Sequence, residues 1–274
     1  MKWCIIFLIL FNCNFLYGAE TTTKIVETTT TAAEPITKVV ESTTRGTEPN
    51  TGLDILKKVD ENYAAENRKS LSTMIIKGRR GTRTLQSQSW IQGVEKSFTE
   101  YLSPARDRGT KMLKLEEELW IYSPSTDRII KIAGHMLRRS VMGSDLSYED
   151  YMEDPKLSNM YLATIIGEEI ITERLCYVLE LTAKKEDIAY YSRKIWVDKE
   201  RFLPLKEERY AKSGKLLKTF VINEVFQLEN RWYRKKMIFK DVLKKGEGTE
   251  FIIDSIEFNV EIPDYIFSKS SLRK

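Results

Sequence analysis

The stretch LEEELWIYSPSTDRIIKI, residues 115–132, decides the fold. Residues 119–123 and 128–132 are two short runs rich in aromatic and β-branched side chains, and the Ser, Pro, Thr and Asp between them form a turn composition. Strands joined this closely must be antiparallel neighbours, because a parallel pair needs a crossover of a dozen or more residues. The same texture extends in both directions: upstream over 84–92, 94–101 and 111–115, and downstream from Tyr161 over 171–182, 190–198, 205–210, 216–226, 232–240 and 249–258. Ser213-Gly214 and Gly246-Glu247-Gly248 stand where hairpin turns are needed. About ten strands of this kind make one large antiparallel sheet, and one of its faces must be covered.

Two segments are available to cover it. Leu53, Leu56, Val59 and Tyr63 share a helical face with Ile55 at its edge, behind a threonine-glycine turn, so a helix is expected over 53–67. The second is the one insertion without strand texture, residues 134–155, GHMLRRSVMGSDLSYEDYMEDP. Ser147 and Asp150 have the spacing of a helix capping box, and Met142, Leu146, Tyr148, Tyr151 and Met152 form an apolar side of flexible and amphipathic residues. A helix over 142–152 is expected to act as a lid.

Ahead of the folded region, Lys2 precedes an apolar run from Trp3 to Phe11, and small residues arrive at Gly18 and Ala19: the layout of a secretory signal over residues 1–18. That run is shorter than the roughly 20 apolar residues of a membrane helix. A second reading stands beside it, since Leu10-Phe11-Asn12-Cys13 has the leucine-to-cysteine spacing of a lipoprotein signal that would anchor the chain through Cys13. Residues 21–48 then read as four heptapeptides, TTTKIVE, TTTTAAE, PITKVVE and STTRGTE. Their adjacent apolar pairs make no coiled-coil seam, and so threonine-rich a composition buries too little surface to offset the entropy of ordering. Residues 19–51 are read as a spacer, with a relaxed end-to-end distance on the order of 30 Å. Residues 52–274 remain as one domain.

Composition narrows the chemistry. Setting aside Lys2, Lys24, Lys38 and Arg45 from the 44 basic residues leaves 40, and setting aside Glu20, Glu27, Glu34, Glu41 and Glu48 from the 40 acidic ones leaves 35. A net +5 with interspersed signs does not indicate nucleic-acid binding. Only Cys176 lies in the folded region, which excludes an intrachain disulfide there; in the context Leu-Cys-Tyr-Val it reads as a buried small hydrophobe. The single histidine, His135, has no nucleophile elbow near it and reads as a surface or lid residue. Asp145, Glu149, Asp150, Glu153 and Asp154 are hard oxygen donors in a short span, but their spacing is not that of a calcium loop, and they read as a solvated helix face. Glu116-Glu117-Glu118 offers carboxylates for glycoside cleavage and reads as a water-facing run before a strand. No catalytic residue, metal site or cofactor is expected.

The quoted residues also carry a resemblance. Trp120-Ile-Tyr-Ser-Pro124 leading to Arg128-Ile-Ile-Lys-Ile132, then Met142-Gly-Ser-Asp-Leu-Ser-Tyr-Glu-Asp150, then Ile195-Trp-Val-Asp-Lys199 with Leu203-Pro-Leu-Lys206, resemble the LolA-like outer-membrane lipoprotein-sorting family, in its periplasmic branch. The likeness covers nearly all of 53–268, including Ile256-Glu-Phe-Asn259 and a closing 262–267 segment. It implies an α+β, mainly β fold: a curved antiparallel half-barrel of the LolA/LolB kind with helices over its concave face. It also implies a non-enzymatic periplasmic carrier of lipoprotein or lipid acyl chains, working between an inner-membrane transport complex and an outer-membrane acceptor. An acyl chain costs about 0.8 kcal/mol per methylene to expose to water, so such a carrier needs an apolar trough and a movable lid. Trp90, Phe98, Leu119, Ile121, Met142, Leu146, Tyr148 and Met152 are the candidates for trough and lid. The carriers use an arginine in an early strand; Arg79, Arg80, Arg83 and Arg106 stand nearby, and no local motif singles one out. The alternative is an envelope scaffold or sensor that binds a protein partner through the same sheet.

Overall fold

Period-two alternation emerges as strands joined by tight turns, and one long connection gives the molecule its function-bearing face. The computed structural model describes residues 51–62, 67–78, 81–153, 156–186, 188–228 and 231–274. The signal peptide expected over 1–18 and residues 19–50 of the spacer lie outside the described residues. Among those described, thirteen strands form one curved antiparallel sheet: β1 (Arg68–Gly78), β2 (Gly81–Gln92), β3 (Lys96–Ser103), β4 (Lys111–Leu115), β5 (Glu118–Ser123), β6 (Arg128–Ile132), β7 (Tyr161–Ile171), β8 (Arg174–Ala183), β9 (Ser192–Asp198), β10 (Pro204–Tyr210), β11 (Leu216–Leu228), β12 (Arg231–Asp241) and β13 (Gly248–Phe258).

Their spatial order is β6-β5-β4-β3-β2-β1-β13-β12-β11-β10-β9-β8-β7. Two meanders are joined where β1 pairs with β13, and β6 and β7 are the two opposite edges. The connection between β6 and β7 therefore has to cross the sheet from one edge to the other. Residues 133–160 make that crossing, which is why the insertion lies over a face instead of forming a surface loop.

Two strands depart from the sequence reading. β1 was not expected: on its covered face Ser70 and Ser72 alternate with Met74, and the two serines mask the period. β7 was not separated either: the strand texture starts at Tyr161, but its first expected run, over 171–182, is β8, and Thr172 and Glu173, both at positive φ, turn β7 back into it.

The first helix, α1 (Gly52–Asn62), is capped by Thr51, whose hydroxyl accepts from the Asp54 amide at 3.1 Å. Ile55, Leu56 and Val59 are fully buried against Tyr161, Leu179, Leu181 and Ile195 on β7 to β9, each contributing about 1.5–3 kcal/mol. Leu53, expected on the buried face, is 39% exposed, and Tyr63 lies outside the described residues. Gly52 is required by packing: a Cβ there would come within 2.5 Å of the Ala163 carbonyl oxygen. Asn62 closes the helix by donating to the carbonyls of Arg201 and Phe202, both at 2.9 Å. No helix among the described residues is long and apolar enough to cross a membrane.

Candidate functional site

The crossing segment is a strap more than a helix. It runs through short 3-10 turns at Gly134–Arg138 and Val141–Gly143 before α2 (Tyr148–Met152), so the single helix expected over 142–152 is five residues long. Met142 and Gly143, at φ 51° and 80°, break it. The capping box is present: the Ser147 amide donates to Asp150 at 2.7 Å, and the Asp150 amide donates back to the Ser147 hydroxyl at 3.2 Å. Val141, Met142, Tyr148, Tyr151 and Met152 pack on Met74, Leu85, Tyr101, Met112 and Leu119, the face that β1 to β5 share. We refer to 134–153 as the lid and to this face as the inner face.

Polar contacts hold the lid at both ends. At one, the Arg83 guanidinium of β2 donates to the Met142 carbonyl at 2.8 Å and lies 3.6 Å from the Asp107 carboxylate. At the other, Asp150 pairs with Lys218 and, at 3.0 Å, with Arg209, and accepts from the Tyr190 hydroxyl at 2.6 Å. Glu153 pairs with Arg193 and, at 3.3 Å, with Arg209, while Glu207 completes the cluster at 2.6 Å from Arg193. Arg193 is 1% exposed and lies between the rings of Tyr161 and Tyr190. Burial, with Arg209 beside it, lowers the Arg193 guanidinium to about 10, which leaves it charged at neutral pH. Burial would raise the Asp150 carboxyl, but Arg209 and Lys218 outweigh it and hold the group well below the usual carboxylate range.

That cluster corrects the reading of the acidic run. Asp150 and Glu153 are not a solvated helix face; they point into the sheet at its cations. Asp145 is also 8% exposed and accepts from the Thr249 hydroxyl and the Asp241 amide at 2.8 and 3.0 Å. Asp154 lies outside the described residues. Among the described residues no group of His, Cys, Asp and Glu is arranged to hold a metal ion.

Beside the lid the inner face opens into a trough of about 340 Å³, at the small end of the ~300–1,000 Å³ typical of ligand sites. Tyr151 and Glu153 of the lid reach into it, with Asn62 from α1. Its floor is a set of hydroxyls. The Ser89 and Thr99 oxygens are 2.8 Å apart, and the Tyr151 hydroxyl lies 2.9 Å from Ser97 and 3.2 Å from Thr99. Phe251, Ile253, Ile256, Phe258 and Trp232 form an apolar wall. Lys114 lines the trough and donates to the Met152 carbonyl at 3.3 Å.

The eight sequence candidates divide by place. Leu119, Ile121, Met142, Tyr148 and Met152 come together in the seam between lid and sheet, next to the trough without lining it. Leu146 lines a second cavity, of about 500 Å³, with Glu149 and Lys218. Trp90 and Phe98, expected in the trough, are on the opposite face. Register sets Trp90, Phe98, Leu113 and Trp120 in one row there, covered by Ile262, Phe267 and Leu272 of the C-terminal segment. The hydroxyl floor and the ion cluster carried no local sequence signal. Arg83 was in view, without a motif to separate it from Arg79 and Arg80, which lie outside the described residues, or from exposed Arg106.

Other chemistry-bearing residues occupy plain positions. His135 is exposed on the lid, Glu116 and Glu117 are exposed in the turn before β5 and Glu118 at its first position, and Cys176 is fully buried, its thiol pushed up to about 11 by burial and by Asp198.

Comparison with known proteins agrees with this architecture. A family model described as "-like: Uncharacterized protein" matches residues 93–274, and no curated protein matches the chain. Among solved structures, a DUF1329 family protein from Desulfovibrio piger superposes with TM-score 0.73 at 24% identity, covering 81% of this chain and 97% of that one. An outer membrane lipoprotein-sorting protein domain from Vibrio parahaemolyticus gives 0.71 at 23%, covering 81% and 98%; these two share the fold. A LolA superfamily protein from Nitrosomonas europaea gives 0.67 at 25%, covering 81% and 100%. The family model spans more than half of the chain, so the chain belongs to the family it describes, and its curved antiparallel sheet has the LolA-like fold of these three structures.

Proposed function

We propose that the protein is a non-enzymatic periplasmic carrier that shelters acyl chains of a lipoprotein or lipid in the trough under the lid. The observation that carries this reading is the trough itself, bounded by an apolar wall and by a lid fastened through side chains instead of a continuous helix. Sheltering a chain requires only transfer from water, at about 0.8 kcal/mol per methylene, and no covalent chemistry. Residues 1–18 act in this reading as a cleaved signal and 19–51 as a spacer; retention of Cys13 as a lipid anchor is the alternative. An inner-membrane transport complex would donate the cargo and an outer-membrane acceptor would receive it.

A scaffold or sensor is the second reading, favoured by one observation: edge strand β7 exposes Leu162, Ile166 and Ile170 at 62%, 49% and 72%. Edges of this kind pair with other chains. Native mass spectrometry of the exported protein, with lipid extraction, separates the two. Acyl species released on unfolding support the carrier. A bare mass that persists after incubation with lipids or acylated peptide sinks it and leaves the protein-partner reading.

A further inference from the structure

Resting on the carrier reading, we propose that the cargo is an anionic amphiphile whose polar portion lies inside the trough, against the hydroxyl floor and beside Lys114. The two walls of the trough differ in chemistry. Phe251, Ile253, Ile256 and Phe258 suit an acyl chain. The floor does not: Ser70 stands opposite Ser89, and Ser89 opposite Thr99, so hydroxyls from three adjacent strands form a continuous polar strip that Ser97 extends. Each hydroxyl brings one donor and two acceptors, and hydrocarbon laid across them would strip their water without replacing a hydrogen bond.

Charge points the same way. Arg68, Lys114, Arg231 and Arg234 line the trough. Cations gathered in a partly dry concavity attract an anion more strongly than the same cations spread over a surface. An amphiphile with a phosphate or carboxylate would place its tail on the apolar wall and its head on the strip. Lys114 then joins head and lid, because its ammonium also donates to the Met152 carbonyl.

The test holds the acyl chain constant and changes the head. Binding of palmitate, palmitoyl-lysophosphatidylglycerol and uncharged monopalmitoylglycerol to the full exported chain is measured by equilibrium dialysis. At least one anionic species is expected to bind about tenfold or more tightly than the uncharged one. Which of the two anions does so distinguishes a free acid from a lipid headgroup. Lys114→Ala is expected to remove most of that preference and Lys114→Arg to restore it, while Trp232→Ala weakens all three alike. Equal binding of charged and uncharged species overturns this inference and leaves the carrier reading standing. Failure of all three to bind overturns both. The comparison of heads on the unaltered chain decides the matter even where a variant does not fold.

Discussion

Arg83 of β2 donates an N–H to the carbonyl oxygen of Met142 at 2.8 Å, at the one lid residue whose φ is positive without being glycine. A guanidinium thus fastens the sharpest bend of the lid, while the buried ion cluster of Asp150, Glu153, Arg193, Arg209 and Lys218 fastens its α2 end.

Arg83→Ala leaves the Met142 carbonyl without its donor and the Asp107 carboxylate without the cation 3.6 Å away. The expected loss is about 1–3 kcal/mol, read as a lower denaturant midpoint. Limited proteolysis should speed up within 134–153 more than elsewhere. Unchanged cleavage there would show that the bond does not restrain the lid.

Removing Arg193 should be more damaging, because it leaves Glu153 and Glu207 buried with less counter-charge. Arg193→Ala is expected to cost about 3–5 kcal/mol. Glu149→Ala, one residue from Asp150 and outside the cluster, should stay within about 0.5 kcal/mol. Comparable losses for the two variants in urea unfolding would contradict the latch.

Acid should loosen the lid. The Asp150 carboxyl is held below its unfolded value, so its contribution to stability is complete above about pH 4 and is lost as the pH falls from there towards the folded value. Glu207 is lowered too: burial opposes ionisation, but Arg209 and Arg193 prevail. Melting temperature between pH 6 and 2 should fall more steeply for the unaltered protein than for Asp150→Asn, which starts lower and has one such group fewer. Parallel curves would remove Asp150 from the account.

Cys176 is fully buried, and its thiol is pushed up to about 11. It should resist iodoacetamide at pH 8 in the folded protein and react fully in denaturant, as counted by mass. Prompt labelling of the folded protein would show that β8 opens at this point.

Much of the sheet was legible because it depends on local signals. Gly214, Gly246 and Gly248 do take positive φ at hairpin turns, and Ser147 with Asp150 does form a capping box. Sidedness was not legible. Alternation separates two faces without saying which one the lid covers, and β4 and β5 carry apolar residues on both because the C-terminal segment covers the outer one; hence Trp90 and Phe98 were assigned to the trough. The acids of the lid read as solvated because their partners, Arg193, Arg209 and Lys218, lie 40 or more residues away on strands that only the fold brings to them. The trough's floor was hidden for a similar reason, since serines in β1 and β2 weaken the strand signal that would have revealed them.

Quenching by a brominated palmitoyl chain tests the central claim most directly, because heavy-atom quenching requires near contact and Trp232 lines the trough while Trp90 and Trp120 pack on the opposite face. The account expects the brominated chain to quench part of the tryptophan emission at saturating lipid, and Trp232→Phe to abolish most of that quenching without abolishing binding. No quenching, or quenching that survives unchanged in Trp232→Phe, would mean that acyl chains do not occupy the trough.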